Sequence, residues 1–344
     1  MNYFLFIPGL LILLWMMIDL TYSTFAPRGS GYISGSVTRG TWYFFKTASK
    51  VLPGSGILNA AGISIVLANL LVWLLLLWIG SILLFVSSPM AVVNSTTHVP
   101  ATTPQRIYYT GYVLSTLGNG DFKGGTNLWL IASALLSFSG ILTITTAITY
   151  MVPVLTAVTS RRALSIRLAA IGNSPQDMLL KNWNGKDFSM LNSQLQELAL
   201  SIAMQGQLHL AYPVLHFFYH SNKETDLLPN LVAFDEAISI LLVYVPEEKR
   251  PGIQYLKPVR NAISTFLESL SSTMLEPTQG DIPPFELSEL KKANIPLLTP
   301  PENHVRQLDY RRHLLESMLL NDNWTWEDLS KPALDSRFDL SAIS

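Results

Sequence analysis

The chain of 344 residues contains no cysteine. Disulfides, thiolate metal sites, cysteine nucleophiles and thiol redox switches are therefore excluded. Charge is scarce: 14% of residues are Asp, Glu, Lys or Arg, against about 25% in ordinary soluble domains. Neither sign dominates, since 23 basic and 24 acidic side chains leave a net charge of -1. A broad basic footprint is missing, so no nucleic-acid partner is expected. Six histidines leave little material for a metal cluster. What is abundant is apolar surface: 49% of residues are hydrophobic, and the mean hydropathy is +0.30.

The few charges are unevenly placed. Residues 1–160 hold six basic side chains (Arg28, Arg39, Lys46, Lys50, Arg106, Lys123) and two acids, Asp19 and Asp121. All others lie beyond residue 160, and the step falls at Arg161 and Arg162. A change from lipid-like to water-like composition marks a domain boundary. The poorly charged part has apolar runs at 3–18, 63–86 and 128–158. The second and third would make helices of about 36 and 46 Å, against a hydrocarbon core of roughly 30 Å. The third must tilt or continue past the membrane. An all-α membrane protein with three spans is expected, organised as residues 1–56, 57–160 and 161–344. No Lys or Arg precedes the first run, so it reads as an uncleaved helix and not as a signal peptide.

Basic flanks give an orientation. Arg28, Arg39, Lys46 and Lys50 share one loop, and Arg161, Arg162 and Arg167 follow the last span. Both stretches are expected in the cytoplasm. The N-terminus and residues 87–127 then face outside, in a multi-pass cell-membrane protein. Within the first loop Arg39, Lys46 and Lys50 fall on one side of a helix wheel. Phe44, Phe45, Ala48, Val51 and Leu52 fall on the other, with Trp42 at the border. That pattern suits a helix lying at the inner leaflet, with membrane lipid as its partner.

The outer loop carries the chemistry. Thr103-Pro104 reads as a helix start, with a hydroxyl at the N-cap and then a residue needing no amide donor. A helix over 104–115 would be about 18 Å long, enough to enter the membrane halfway. Such re-entrant backbone survives only when protein or water covers its polar groups. Thr116-Leu117-Gly118-Asn119-Gly120-Asp121 follows directly. Alternating glycines accept positive φ, which lets neighbouring carbonyls turn towards one axis. Rings of such carbonyls replace the hydration shell of a passing cation.

This arrangement resembles the pore domain of the two-transmembrane potassium-channel superfamily, whose usual filter is Thr-Val-Gly-Tyr-Gly-Asp. The resemblance covers about residues 57–160. It implies an ion-binding filter at Thr116, Leu117, Gly118, Asn119 and Gly120, with Asp121 at the outer mouth. It also implies pore-helix packing by the aromatic pair Tyr108 and Tyr109, and gating hinges at Gly140 and Pro153. Gly140 also reads as a helix-packing glycine, and Pro153 as an ordinary kink. One filter segment per chain cannot close a ring, so a homotetramer is implied. No cofactor is expected beyond the permeant K⁺ or Na⁺. The sequence departs from the usual filter at Leu117 and at Asn119, where valine and tyrosine stand elsewhere. Asparagine cannot brace the filter through aromatic packing, although its amide can hydrogen-bond. Potassium-selective conduction and non-selective K⁺/Na⁺ conduction both remain open readings. Below the filter, Ile141, Ile144, Ile148 and Val152 form one stripe, fit for an apolar cavity or for lipid and helix contact.

Residues 161–344 read as a helical cytoplasmic regulatory domain, with helix-like spacing over 187–206, 227–245, 254–275 and 305–320. Neither Gly-x-Gly-x-x-Gly after a strand nor Gly-x-x-x-x-Gly-Lys-Ser/Thr occurs, so its ligand or partner is unspecified. His216, His220 and Glu224 have helical spacing compatible with a zinc-like ion, but the intervening aromatics favour a packed face. No nucleophile–base–orienter set is legible, so the chain is not expected to be an enzyme. A membrane enzyme active in residues 161–344 is a third, weaker reading. The main alternative to a channel is a non-conducting membrane scaffold whose helical domain binds partners. No Arg-rich voltage-sensor helix is present.

Overall fold

The structure is a computed structural model and describes residues 1–26, 31–52, 56–219, 222–271 and 276–330. Arg28, His220 and residues 272–275 of the expected third cytoplasmic helix lie outside the described residues. The chain divides into two compact units. Met1–Leu155 with Ala211–Phe218 makes the first, and the second comprises Thr156–Leu210 and the described residues from Tyr219 onward.

The first unit is built on five helices. They are α1 (Tyr3–Phe25), α2 (Tyr32–Val51), α3 (Ala61–Val86), the short α4 (Thr103–Leu114) and α5 (Asn127–Ile171). Asn2 starts α1, its side chain accepting from the Phe4 amide at 3.0 Å. A short 3₁₀ turn, Ile57–Ala60, leads into α3. The helices α1, α2 and α4 all pack on α3. At Gly9, a Cβ would lie 2.9 Å from the Gly80 carbonyl oxygen, so α1 and α3 meet backbone to backbone.

Asp19 joins α1, α2 and α3 and is 2% exposed. Its Oδ1 accepts from the Ile33 amide at 2.8 Å. Oδ2 accepts from the Ser34 amide at 3.2 Å and from Trp73 Nε1 at 3.0 Å. The Ser34 hydroxyl also donates to Oδ2. A carboxylate at the unsatisfied amides of a helix start is favoured by hydrogen bonding and by the helix dipole together. Asn69 Nδ2 adds a bond from α3 to Thr38 Oγ1 in α2 at 3.2 Å. On α2 the residues Arg39, Lys46 and Lys50 are exposed.

The last span is longer than its uncharged run. α5 has 45 residues, or about 68 Å, and the charge step at Arg161 falls inside it. Its final turns place Leu164, Leu168 and Ile171 in the core of the second unit. That unit adds α6 (Pro175–Lys181), α7 (Leu191–Ala211), α8 (Leu227–Tyr244), α9 (Ile253–Ser271), α10 (Ser288–Lys292), α11 (Glu302–Arg306), α12 (Asp309–Asn321) and α13 (Trp326–Ser330). α7 starts four residues later than its apolar spacing suggests, because Asn184 and Asp187 form a side-chain-bonded turn first. The run expected over 305–320 breaks into α11 and α12.

By length and apolarity α8 also qualifies as a membrane span. Here it is the central helix of the second unit, buried without a break from Leu227 to Leu241. A helix apolar all round is buried in lipid or in protein, and α6, α9, α12 and α13 supply the protein. Its two charges are matched. Asp235 meets Arg260 at 2.8 Å and Arg311 at 2.6 Å, and Glu236 meets Arg312 at 2.9 Å. Arg161 of α5 is also buried, 3.8 Å from Asp226 and 3.7 Å from Asp322. Burial and the neighbouring Asp226 push the Asp322 carboxyl up to about 7, against the opposing pull of Arg161.

Candidate functional site

A short helix does precede the glycine segment: α4, shifted by one residue from the expected 104–115. Thr102, not Thr103, is its N-cap, and the Gln105 side chain accepts from the Thr102 amide at 2.8 Å in a capping box. Arg106 fixes this end. Its Nε donates to the Ala101 carbonyl at 2.9 Å and its Nη1 to the Val86 carbonyl, at the end of α3, at 3.2 Å. The sequence offered Arg106 only as an isolated charge; its place among carbonyls depends on how α3 and α4 meet.

Tyr108 and Tyr109 occupy different surroundings. Tyr109 is buried, 5.6 Å from the Phe85 ring and 5.2 Å from the Tyr112 ring, with its hydroxyl against Ser133. Tyr108 is 45% exposed and stands edge-on to Tyr112. Its hydroxyl accepts a hydrogen bond from Asn119 Nδ2. The amide of the filter-like segment is therefore held by the short helix behind it, in place of the aromatic packing the sequence lacks. Tyr112, absent from the expected set, donates its hydroxyl to the Phe122 carbonyl at 2.6 Å.

The segment after α4 alternates its backbone. Thr116 has φ 58°, Gly118 has φ 60° and Gly120 has φ 80°, whereas the intervening residues have no positive φ. Its first residues are tied to α4 by the Leu117 amide, which donates to the Tyr112 carbonyl at 2.9 Å. Its last residues are tied by a feature that an all-α expectation leaves out. Val93–Asn94 and Phe122–Lys123 form a two-residue antiparallel ladder. Beside it the Ser95 amide donates to the Asp121 carbonyl at 2.9 Å, and Ser95 Oγ to the Gly120 carbonyl at 2.5 Å. The Gly120 carbonyl is thus engaged within the chain. Residues 115–121 are exposed on the single chain, Leu117 at 64%.

Gly140 lies where α5 passes the end of α4. A Cβ there would stand 2.3 Å from the Leu114 carbonyl oxygen. Among its two readings, close packing is what this geometry displays. Gly140→Ala is expected to push α4 away and to cost about 1–3 kcal/mol, as overpacked sites do. Thermal melting of the detergent-solubilised protein measures this; an unchanged melting point would mean that the contact is dispensable. Pro153 sits within α5, which continues through it to Ile171. Ile141, Ile144, Ile148 and Val152 are all exposed on the single chain.

His216 lies in a 3₁₀ turn, Pro213–Phe217, and not on an α-helix. The helical spacing behind the zinc-like reading is therefore missing, and among the described residues no group of three His, Asp or Glu is placed to hold a metal.

Three long apolar helices, with a short helix and an alternating segment between the last two, define a mostly helical membrane protein. The chain is similar to YdjJ of Bacillus subtilis (strain 168), which is described as an uncharacterized membrane protein. The two are 29% identical over 319 residues, covering 92% of this chain and 93% of that one. No family model and no solved structure matches the chain.

Proposed function

We propose that four copies of this chain form a cation channel, with Thr116, Leu117, Gly118 and Asn119 supplying carbonyl oxygens around a shared axis. Positive φ at every second residue, directly after a short helix between two spans, is the observation that carries this reading. Alternation of that kind turns successive carbonyls towards one side, where a ring of copies replaces ion hydration. The carbonyl end of α4 faces the same segment and favours a cation near it. Asp121 stands at the outer mouth, where a carboxylate concentrates cations. In the cell membrane α2 lies along the inner leaflet, with the second unit in the cytoplasm.

The Gly120 carbonyl, already bound by Ser95 Oγ, contributes less to an ion than its counterparts in a fully free filter. Fewer strong carbonyl rings favour weak discrimination between K⁺ and Na⁺. The test is the reversal potential of reconstituted protein under opposed K⁺ and Na⁺ gradients. Tyr108→Phe removes the acceptor of Asn119. One such hydrogen bond is worth about 1 kcal/mol, so its loss is expected to shift the permeability ratio by at most about fivefold. Asn119→Tyr is expected to move that ratio towards K⁺. No cation flux from the wild-type protein under any ligand, pH or tension tested would overturn the proposal.

A further inference from the structure

The helix α5 runs through both units, and Arg161 lies in the part that belongs to the second. Arg161, Asp226 and Asp322 are all buried. One guanidinium thus stands between two carboxylates, 3.8 Å from Asp226 Oδ1 and 3.7 Å from Asp322 Oδ2. The three come from different elements: Arg161 from α5, Asp226 from the N-cap of α8 and Asp322 from the C-cap of α12.

The two carboxylates are not equivalent. Asp226 has a donor on each oxygen. Oδ1 accepts from the Leu228 amide at 3.3 Å and Oδ2 from Trp324 Nε1 at 2.9 Å. It also stands at a helix start, where free amides and the helix dipole favour a negative charge. Asp322 stands at a helix end, where the dipole disfavours one. Its side-chain donor is Asn321 Nδ2, 3.0 Å from Oδ1. Tyr219 also feels both acids, its phenol pushed up by burial and by the two carboxylates. Lys223, three residues before Asp226, gives its ammonium to the Asn173, Asp328 and Leu329 carbonyls at 2.9, 2.7 and 2.9 Å. A second buried negative charge beside the first costs free energy, and a proton on Asp322 removes that charge.

We propose that Arg161, Asp226 and Asp322 form a proton-operated clasp that fastens α12 and α13 to α5 and the start of α8. With a proton on Asp322, Arg161 and Asp226 are matched one to one and the clasp is closed. Without it, the two carboxylates repel and the clasp slackens. Trp324, bonded to Asp226, lies in the chain between α12 and α13, so both helices answer to the change. The sign follows from the carboxyl of Asp322, which burial and then Asp226 push up to about 7. Its contribution is full below the ordinary 3.8 and is lost as pH rises through about 7. Opening is therefore favoured on the alkaline side, whether or not the chain conducts ions.

Hydrogen exchange of the full-length, detergent-solubilised chain tests this, corrected for the intrinsic effect of pH on exchange. Peptides covering 222–228 and 319–330 are each expected to exchange about tenfold faster at about pH 8 than at about pH 6. Asp322→Asn removes the titrating group. Asp226→Asn leaves Arg161 matched to Asp322 alone and keeps an oxygen at the N-cap. Either substitution is expected to flatten the profile. Glu236 titrates in the same direction but is untouched by both. A flat wild-type profile, a rise at 319–330 without one at 222–228, or a rise that survives either substitution would each overturn the clasp. The first two outcomes are read on the wild-type protein and do not depend on a variant that folds.

Discussion

Gly118→Ala abolishes cation flux while leaving the protein folded: this is the expected result if residues 116–119 line a conduction path. Gly118 has φ 60°, and a Cβ there would meet nothing closer than the Thr116 carbonyl oxygen at 3.9 Å. No clash arises, so the penalty is conformational. An L-residue in the left-handed region costs about 1–2 kcal/mol in each chain. The cheapest relief is rotation to negative φ, which swings one carbonyl out of the alternating row. Four copies relax together in a tetramer, so the whole ring is lost. Flux assays in lipid vesicles, beside a melting curve, separate this outcome from unfolding. A scaffold whose function lies in its helical domain would show no change in partner binding. Full flux through the variant would exclude these carbonyls from the ion path.

Asp235→Ala is expected to unfold the helical domain. Asp235 is 0% exposed. It accepts from Arg260 Nη1 at 2.8 Å, from Arg311 Nε at 2.8 Å and from Arg311 Nη2 at 2.6 Å. Removing one partner of a buried pair leaves an uncompensated charge and costs about 3–5 kcal/mol; here two guanidinium groups are stranded. A whole domain has only about 5–15 kcal/mol in hand. Limited proteolysis and thermal melting report the loss. Glu197→Ala is the matched control, since its 2.6 Å pair with Arg167 is exposed on both sides and such pairs are worth about 1 kcal/mol or less. Titration adds a sign. Burial would raise the Asp235 carboxyl, but Arg260 and Arg311 outweigh it and hold it below its ordinary 3.8. The stability it gives is present above that value and lost as pH falls through the lowered one. Glu236 runs the other way. Burial, opposed by Arg312, pushes it up to about 7, so its contribution is present below 4.5 and fades as pH rises through 7.

Local signals were legible and three-dimensional ones were not. Uncharged runs marked α1, α3 and α5, because helix length and apolar composition are carried by the residues themselves. Thr116 to Asp121 stood out because glycine at alternate positions is a backbone requirement written directly in residue type. The Tyr108–Asn119 bond depends on the rotation of α4 about its axis, which residue spacing does not set. Ser95 reaches the Gly120 carbonyl only through the two-residue ladder, too short to leave a strand pattern. Asp19 reads as the end of an apolar run, yet it serves a helix that starts at Tyr32. The role of α8 was half visible: its apolar spacing was plain, but the arginines matching Asp235 and Glu236 come from distant helices.

The capping of α2 by Asp19 bears on how the protein responds to bilayer thickness. In the interfacial arrangement proposed above, the first turn of α2 is pinned to α1 and α3 by a buried carboxylate and cannot slide along them. Mismatch of this kind costs a fraction of a kcal/mol per ångström, and because α2 also packs on α3 and on the Ile57–Ala60 turn, the helices joined at Asp19 would meet it by tilting together.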